Sequence, residues 1–154
     1  MTQGMHLTPI GGGHVLLEPG AGLDPSDPDA YLVGVLEVLQ AHHAARLIYD
    51  LKNVPLLEGV YYRWLLALHA ACRISGIQLV TVNMQPEAAY ALSQLITAPP
   101  PFVCALDVDH VRRIVERAAQ APEAEPAECG APEDGDAVAD TQDRAGFPVH
   151  EVPE

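Results

Sequence analysis

Two short apolar runs, Arg46–Leu51 (RLIYDL) and Gln78–Asn83 (QLVTVN), stand on either side of a breaker-free stretch, Gly59–Ser75. The runs have strand length, and the stretch between them has helix length, so the segment reads strand–helix–strand. Strands alternating with helices imply one sheet with helices packed on it, joined by crossovers that should be right-handed.

The remaining segments extend the pattern. Met5–Ile10 and His14–Glu18 are short apolar stretches around Gly11-Gly12-Gly13, which predicts two strands about a tight turn. The turn is a better reading of the glycines than a phosphate loop, because no Lys-Ser/Thr and no helix follow them. Gly20–Asp27 is a Gly/Pro/Asp-rich loop; Asp27 is the expected N-cap, with Pro28 opening a helix to about His43. Pro55 keeps Lys52–Leu57 a loop, and Gly76 is the expected stop of the second helix. Pro86 opens a helix over Pro86–Leu95, while Pro99, Pro100 and Pro101 remove three donors and exclude helix or central strand. Phe102–Leu106 is the expected last strand. Asp107 is the expected cap of a final helix, with Arg112, Arg113 and Arg117 near its C-terminal end. The order β-β-α-β-α-β-α-β-α predicts an α/β domain over residues 1–118, one mixed sheet of about five strands with about four helices.

With 49% hydrophobic residues, a chain of 154 can bury a core without disulfides or a metal. The charge is uneven. Up to Ala119 eleven acidic residues face seven basic ones, whereas from Gln120 ten acidic residues accompany Arg144 alone. Residues 119–154 therefore read as a disordered acidic tail. The net charge of −13 lacks the basic footprint of a nucleic-acid binder and disfavours anionic membranes. No apolar run reaches the roughly 20 residues of a membrane span, and no signal peptide is visible. Cys72, Cys104 and Cys129 have no paired spacing, as expected of reduced thiols in a cytoplasmic protein.

From Arg46 to Leu95 the sequence resembles the STAS domain family, named for sulfate transporters and anti-sigma-factor antagonists. The residues that carry the resemblance are Ile48–Leu51 with Val54, Gly76 before Gln78–Asn83, and Met84-Gln85-Pro86 with Ala89, Leu92 and Leu95. Ala105-Leu106-Asp107 opening the last helix also fits, so the likeness spans about residues 5–118. It is nearest to the single-domain scaffold subunits of bacterial stressosomes and to anti-sigma-factor antagonists. The resemblance implies a non-enzymatic module whose partners are proteins: a switch kinase, an anti-sigma-like protein, other STAS proteins or further copies of itself. It implies no cofactor. In phosphorylatable members an Asp-Ser pair stands where the loop enters the second helix. The matching pair here is Glu58-Gly59, which has no hydroxyl to accept a phosphoryl group.

Glu58 is expected to act as an acidic N-cap residue, since one carboxylate imitates a phosphate poorly. Gly59 has two readings, conformational freedom at a tight helix entry and a lost phosphosite. Tyr61-Tyr62-Arg63-Trp64 point in all directions around a helix; Tyr61 or Trp64 is expected in the core with Leu65 and Leu68, and at least one aromatic, with Arg63, in solvent. Tyr62, Leu66, His69 and Arg73 share a stripe at helical spacing. With Tyr61 and Arg63 they form the candidate partner-docking surface, rich in residue types that dominate interfaces. His42-His43 have no third metal ligand nearby in sequence, and Cys72 and Cys104 are expected to be buried apolar groups. No nucleophile, base or metal set assembles into an enzyme site. The competing reading is a STAS domain that holds a small molecule or lipid beside Leu56–Val60.

Overall fold

The computed structural model describes residues 4–121. Along them run β1 (Met5–Gly11), β2 (His14–Pro19), α1 (Asp29–Ala41), β3 (Arg46–Asp50) and α2 (Gly59–Ile74). β4 (Gln78–Val82), α3 (Pro86–Leu95), β5 (Val103–Cys104) and α4 (Val108–Gln120) follow. The strands form one sheet in the order β1-β2-β3-β4-β5. β1 is antiparallel to β2 and the other neighbours are parallel, the mixed α/β sheet with four helices that the pattern predicts.

The antiparallel pair follows from the glycine turn. Gly11, Gly12 and Gly13 have φ of 85°, 62° and 74°, a run of left-handed backbone that other residues adopt only at a cost. The Gly13 carbonyl accepts from the Ala45 and Arg46 N–H groups at 2.8 and 3.0 Å, which ties the turn to the start of β3.

Helix ends repeat one device. After α2 the Ile77 N–H donates to the Cys72 carbonyl (2.9 Å) and the Gly76 N–H to that of Arg73 (3.1 Å), with Gly76 at φ 72°. This is the Schellman stop expected of Gly76. After α1 the same pair of bonds runs from Ala44 to Leu39 and from His43 to Gln40, with His43 itself at φ 49°. The helix therefore ends at Ala41, short of the expected His43. Its N-cap is Pro28 rather than Asp27, and no side chain caps it.

Strand alternation divides the core in two. Val15, Leu17, Leu47, Tyr49 and Leu79 join Val35 and Leu39 of α1, Trp64, Leu65, Leu68 and Cys72 of α2, and Ala88 and Leu92 of α3. Ile48, Val80 and Val82 point the other way and meet Val111 of α4. Three helices thus cover one face and α4 alone covers the other.

The expected strand Phe102–Leu106 is only Val103–Cys104. Pro101 offers no N–H, and Phe102 leaves the ladder to bury its ring against α2. As part of a short edge strand, Cys104 is exposed rather than buried. Asp107 caps α4 as predicted, its Oδ1 accepting from the His110 N–H. Arg112 and Arg113 lie in the first half of α4, so only Arg117 stands in the last turn. The helix runs to Gln120, which makes Ala119 and Gln120 helical rather than tail. The expectation for the acidic stretch from residue 122 lies outside the described residues.

Candidate functional site

Loops that leave the carboxyl ends of parallel strands gather at one edge of the sheet, where α/β proteins engage ligands. Here one carboxylate organises that edge. Asp50 Oδ1, at the end of β3, accepts from the Lys52 N–H at 2.8 Å and from Asn83 Nδ2 at 3.0 Å. Asn83 follows β4 at φ 56°, a left-handed conformation that asparagine tolerates, and its N–H donates to the Leu106 carbonyl at 3.0 Å. The loops after β3, β4 and β5 are thereby tied together side by side.

The first of these loops enters α2. Buried Val54 and Leu57 anchor it, while Leu56 stays 51% exposed. Glu58 is the N-cap, with extended backbone (φ −83°, ψ 167°), yet its carboxylate makes no capping hydrogen bond. The capping part of the Glu58 expectation therefore fails, and what remains is a charge near the positive helix end. Gly59 is the first helical residue. Its φ lies outside the left-handed region, and a Cβ built on it meets nothing within 4 Å. Neither backbone conformation nor crowding requires glycine there, which removes the conformational reading of this residue.

The four residues after Val60 divide as the helix turns. Trp64 is fully buried, its ring edge-on to Tyr31 (5.9 Å, 76°). Its Nε1–H donates to the Tyr49 hydroxyl at 3.0 Å, and that hydroxyl pairs with the Tyr61 hydroxyl at 2.7 Å. A chain of hydrogen bonds thus runs from the core to half-buried Tyr61. Burial pushes the Tyr61 phenol up to about 12 and raises that of Tyr49 further. Tyr61 borders a groove of about 540 Å³ between Pro19–Leu23 and Asn53–Leu56.

Tyr62, Leu66 and His69 are half-buried, and Arg63 and Arg73 are exposed. Phe102 accounts for the cover: its ring lies 6.3 Å from that of Tyr62 and 6.2 Å from that of His69. The segment that follows the three prolines thus covers Tyr62 and His69, while Arg63 and Arg73 stay exposed. The hydroxyl–indole chain, the Asp50–Asn83 bridge and the Phe102 cover are absent from the sequence reading. Only an acid and an asparagine ending successive strands foreshadow the bridge.

Among the described residues no group of three His, Cys, Asp or Glu is placed to hold a metal ion, and no helix is long and apolar enough to cross a membrane.

Solved structures share this arrangement of one mixed sheet with helices on both faces. A serine-to-glutamate variant of RsbS from Moorella thermoacetica superposes with a TM-score of 0.59 at 14% identity, covering 75% of this chain and 97% of that one. A structure titled as the molecular architecture of the stressosome, a signal integration and transduction hub, gives 0.54 at 13% identity over 75% and 99% of the two chains. The fold is STAS-like. The protein TM1081 adds a TM-score of 0.60 at 14% identity over 76% of this chain and 90% of that one. No family model and no curated protein matches the sequence. In this STAS-like domain Glu58 and Gly59 open α2 at the carboxyl edge of the sheet, both exposed, beside the loops that Asp50 ties together.

Proposed function

We propose that this STAS-like chain is a non-enzymatic regulatory module that works by binding other proteins. It acts as an anti-sigma-factor antagonist or as a scaffold subunit of a stressosome-like assembly, and it is not switched by phosphorylation at position 59. The observation that carries the reading is the open, exposed Gly59 at the α2 entry, where a side chain fits freely and none is present. The fold shared with RsbS and with a stressosome component supports the choice of class. Partner contact falls on Tyr61, Tyr62, Arg63, Leu66, His69 and Arg73. Arg63 and Arg73 supply the exposed charge, and Leu56 adds exposed apolar surface near the helix entry.

The test uses the full chain as bait in an extract of its native cell, with mass spectrometry of what it retains. A retained kinase or a second STAS protein supports the reading. Incubating the wild type and Gly59→Ser with that kinase and ATP should label the variant only. Phosphate on the wild type, at Tyr61, Tyr62 or elsewhere, shows that the chain is switched after all.

The groove beside Tyr61 favours a second reading, a domain that holds a small apolar molecule or lipid next to Leu56. Native mass spectrometry of the purified chain distinguishes the two, because a retained ligand adds a discrete mass.

A further inference from the structure

The opposite edge of the sheet, where the parallel strands begin, carries a second cluster. His14 opens β2 and is the cross-strand partner of Arg46 on β3, which in turn neighbours Gln78 on β4. Parallel partners project to the same face, and alternation puts these three on the face that α4 covers. Arg46 Nε donates to Gln78 Oε1 at 2.8 Å. From α4, Arg112 Nη2 reaches the carbonyl of Ile10 at 3.3 Å. A guanidinium has five N–H donors, so each arginine retains donors for a further acceptor.

Beside His14 and Arg112 lies a recess of about 430 Å³, bordered also by Ile10, Gly11, Gly12, Val115 and Glu116, while Arg46 and Gln78 border a separate one. His14 is only 6% exposed, and its Nδ1 has no hydrogen-bond partner. Buried polar atoms are nearly always paired, so an unpaired one on a ring that borders a recess calls for an explanation. A Cβ on Gly12 would stand 3.4 Å from His14 Cδ2 and 3.6 Å from its Nε2, so the glycine leaves that edge of the ring uncovered. Burial, with Arg46 and Arg112 beside it, holds the imidazole below its ordinary value. An anion bound beside the ring would offset the two guanidinium charges and raise the imidazole again.

We propose that this recess binds a small oxyanion of the phosphate type, held by Arg112 and the His14 ring, with the Arg46 guanidinium adding positive charge from nearby. Planar guanidinium groups suit tetrahedral oxyanions, and the glycine turn lets a ligand approach the backbone closely. Glu116 at the rim repels anions in proportion to their charge and so favours one of low charge. The site is remote from Gly59, and the proposal stands whether or not the regulatory reading does.

The test follows the His14 ring nitrogens of the full chain by NMR during titration with sodium phosphate at constant pH, with sodium chloride at matched ionic strength as the control. Saturable shifts on phosphate alone are the expected result. Arg112→Gln, an exposed change that should leave the fold intact, should weaken binding at least tenfold or so, the worth of one hydrogen bond to a charged group. Three results overturn the proposal: no shift at tens of millimolar phosphate, equal binding by Arg112→Gln, or the same response to chloride. The last would show screening of the chain's own charges rather than a site.

Discussion

Gly59→Ala isolates the role of the backbone at the α2 entry. If glycine were held there by conformational need, any Cβ would introduce strain. The geometry says otherwise: Gly59 is the first residue of a 16-residue helix, outside the left-handed region, with open space around its built Cβ. Where the native conformation accepts it, glycine to alanine stabilises by about 0.4–1 kcal/mol, mainly by restricting the unfolded chain. An exposed first-turn position belongs toward the lower part of that range, so about 0.5 kcal/mol is expected. Urea unfolding slopes of about 1–1.5 kcal/mol/M for a domain of this size convert this into a midpoint rise of about 0.3–0.5 M. The assay is equilibrium urea unfolding followed by the fluorescence of Trp64, the sole tryptophan and a fully buried one. A midpoint that falls by a similar amount would refute the argument and return Gly59 to a conformational role. In that case its lack of a hydroxyl would say nothing about lost phosphorylation.

Trp64→Phe should cost about 2 kcal/mol in thermal or urea unfolding, from the lost bond to the Tyr49 hydroxyl and the volume vacated beside Tyr31. Arg63→Ala with Arg73→Ala should leave stability within about 0.5 kcal/mol, because both side chains are exposed, yet weaken partner association by about 2 kcal/mol in calorimetry. Unchanged association would move the interface elsewhere. Stability should also fall in alkali. The Tyr61 phenol is raised to about 12 in the folded chain, so its contribution is complete below the ordinary phenol value near 10 and is lost as pH rises toward 12. Unfolding free energies measured across that window should decline less steeply for Tyr61→Phe; equal slopes would show that the phenol is not held as described.

Period and punctuation made much of the architecture legible. RLIYDL and QLVTVN marked two strands, which the structure pairs in parallel, and Gly76 marked a helix stop that the hydrogen bonds bear out. Asp107 likewise caps its helix because capping is a local matter between a carboxylate and a backbone N–H three residues on. Signals of this kind depend on residues close in the chain, which is why they can be read without a structure.

The failures have the opposite character. His43 ends α1 in a left-handed conformation for which glycine is the usual marker, so the sequence carried no warning. The last strand is short where Pro101 lacks an N–H and the Phe102 ring turns onto Tyr62 and His69, partners more than thirty residues away. Sequence alone determined the fold class, the helix-entry position of Glu58-Gly59 and the absence of a hydroxyl there. Tertiary structure alone decided that glycine is not required at 59, that Phe102 closes half the expected stripe, and that Asp50 joins Asn83. It also decided that His14 lies buried between two arginines. The physical reason is that these features depend on side chains brought together by strand register and helix packing, at separations over which local pattern carries no information.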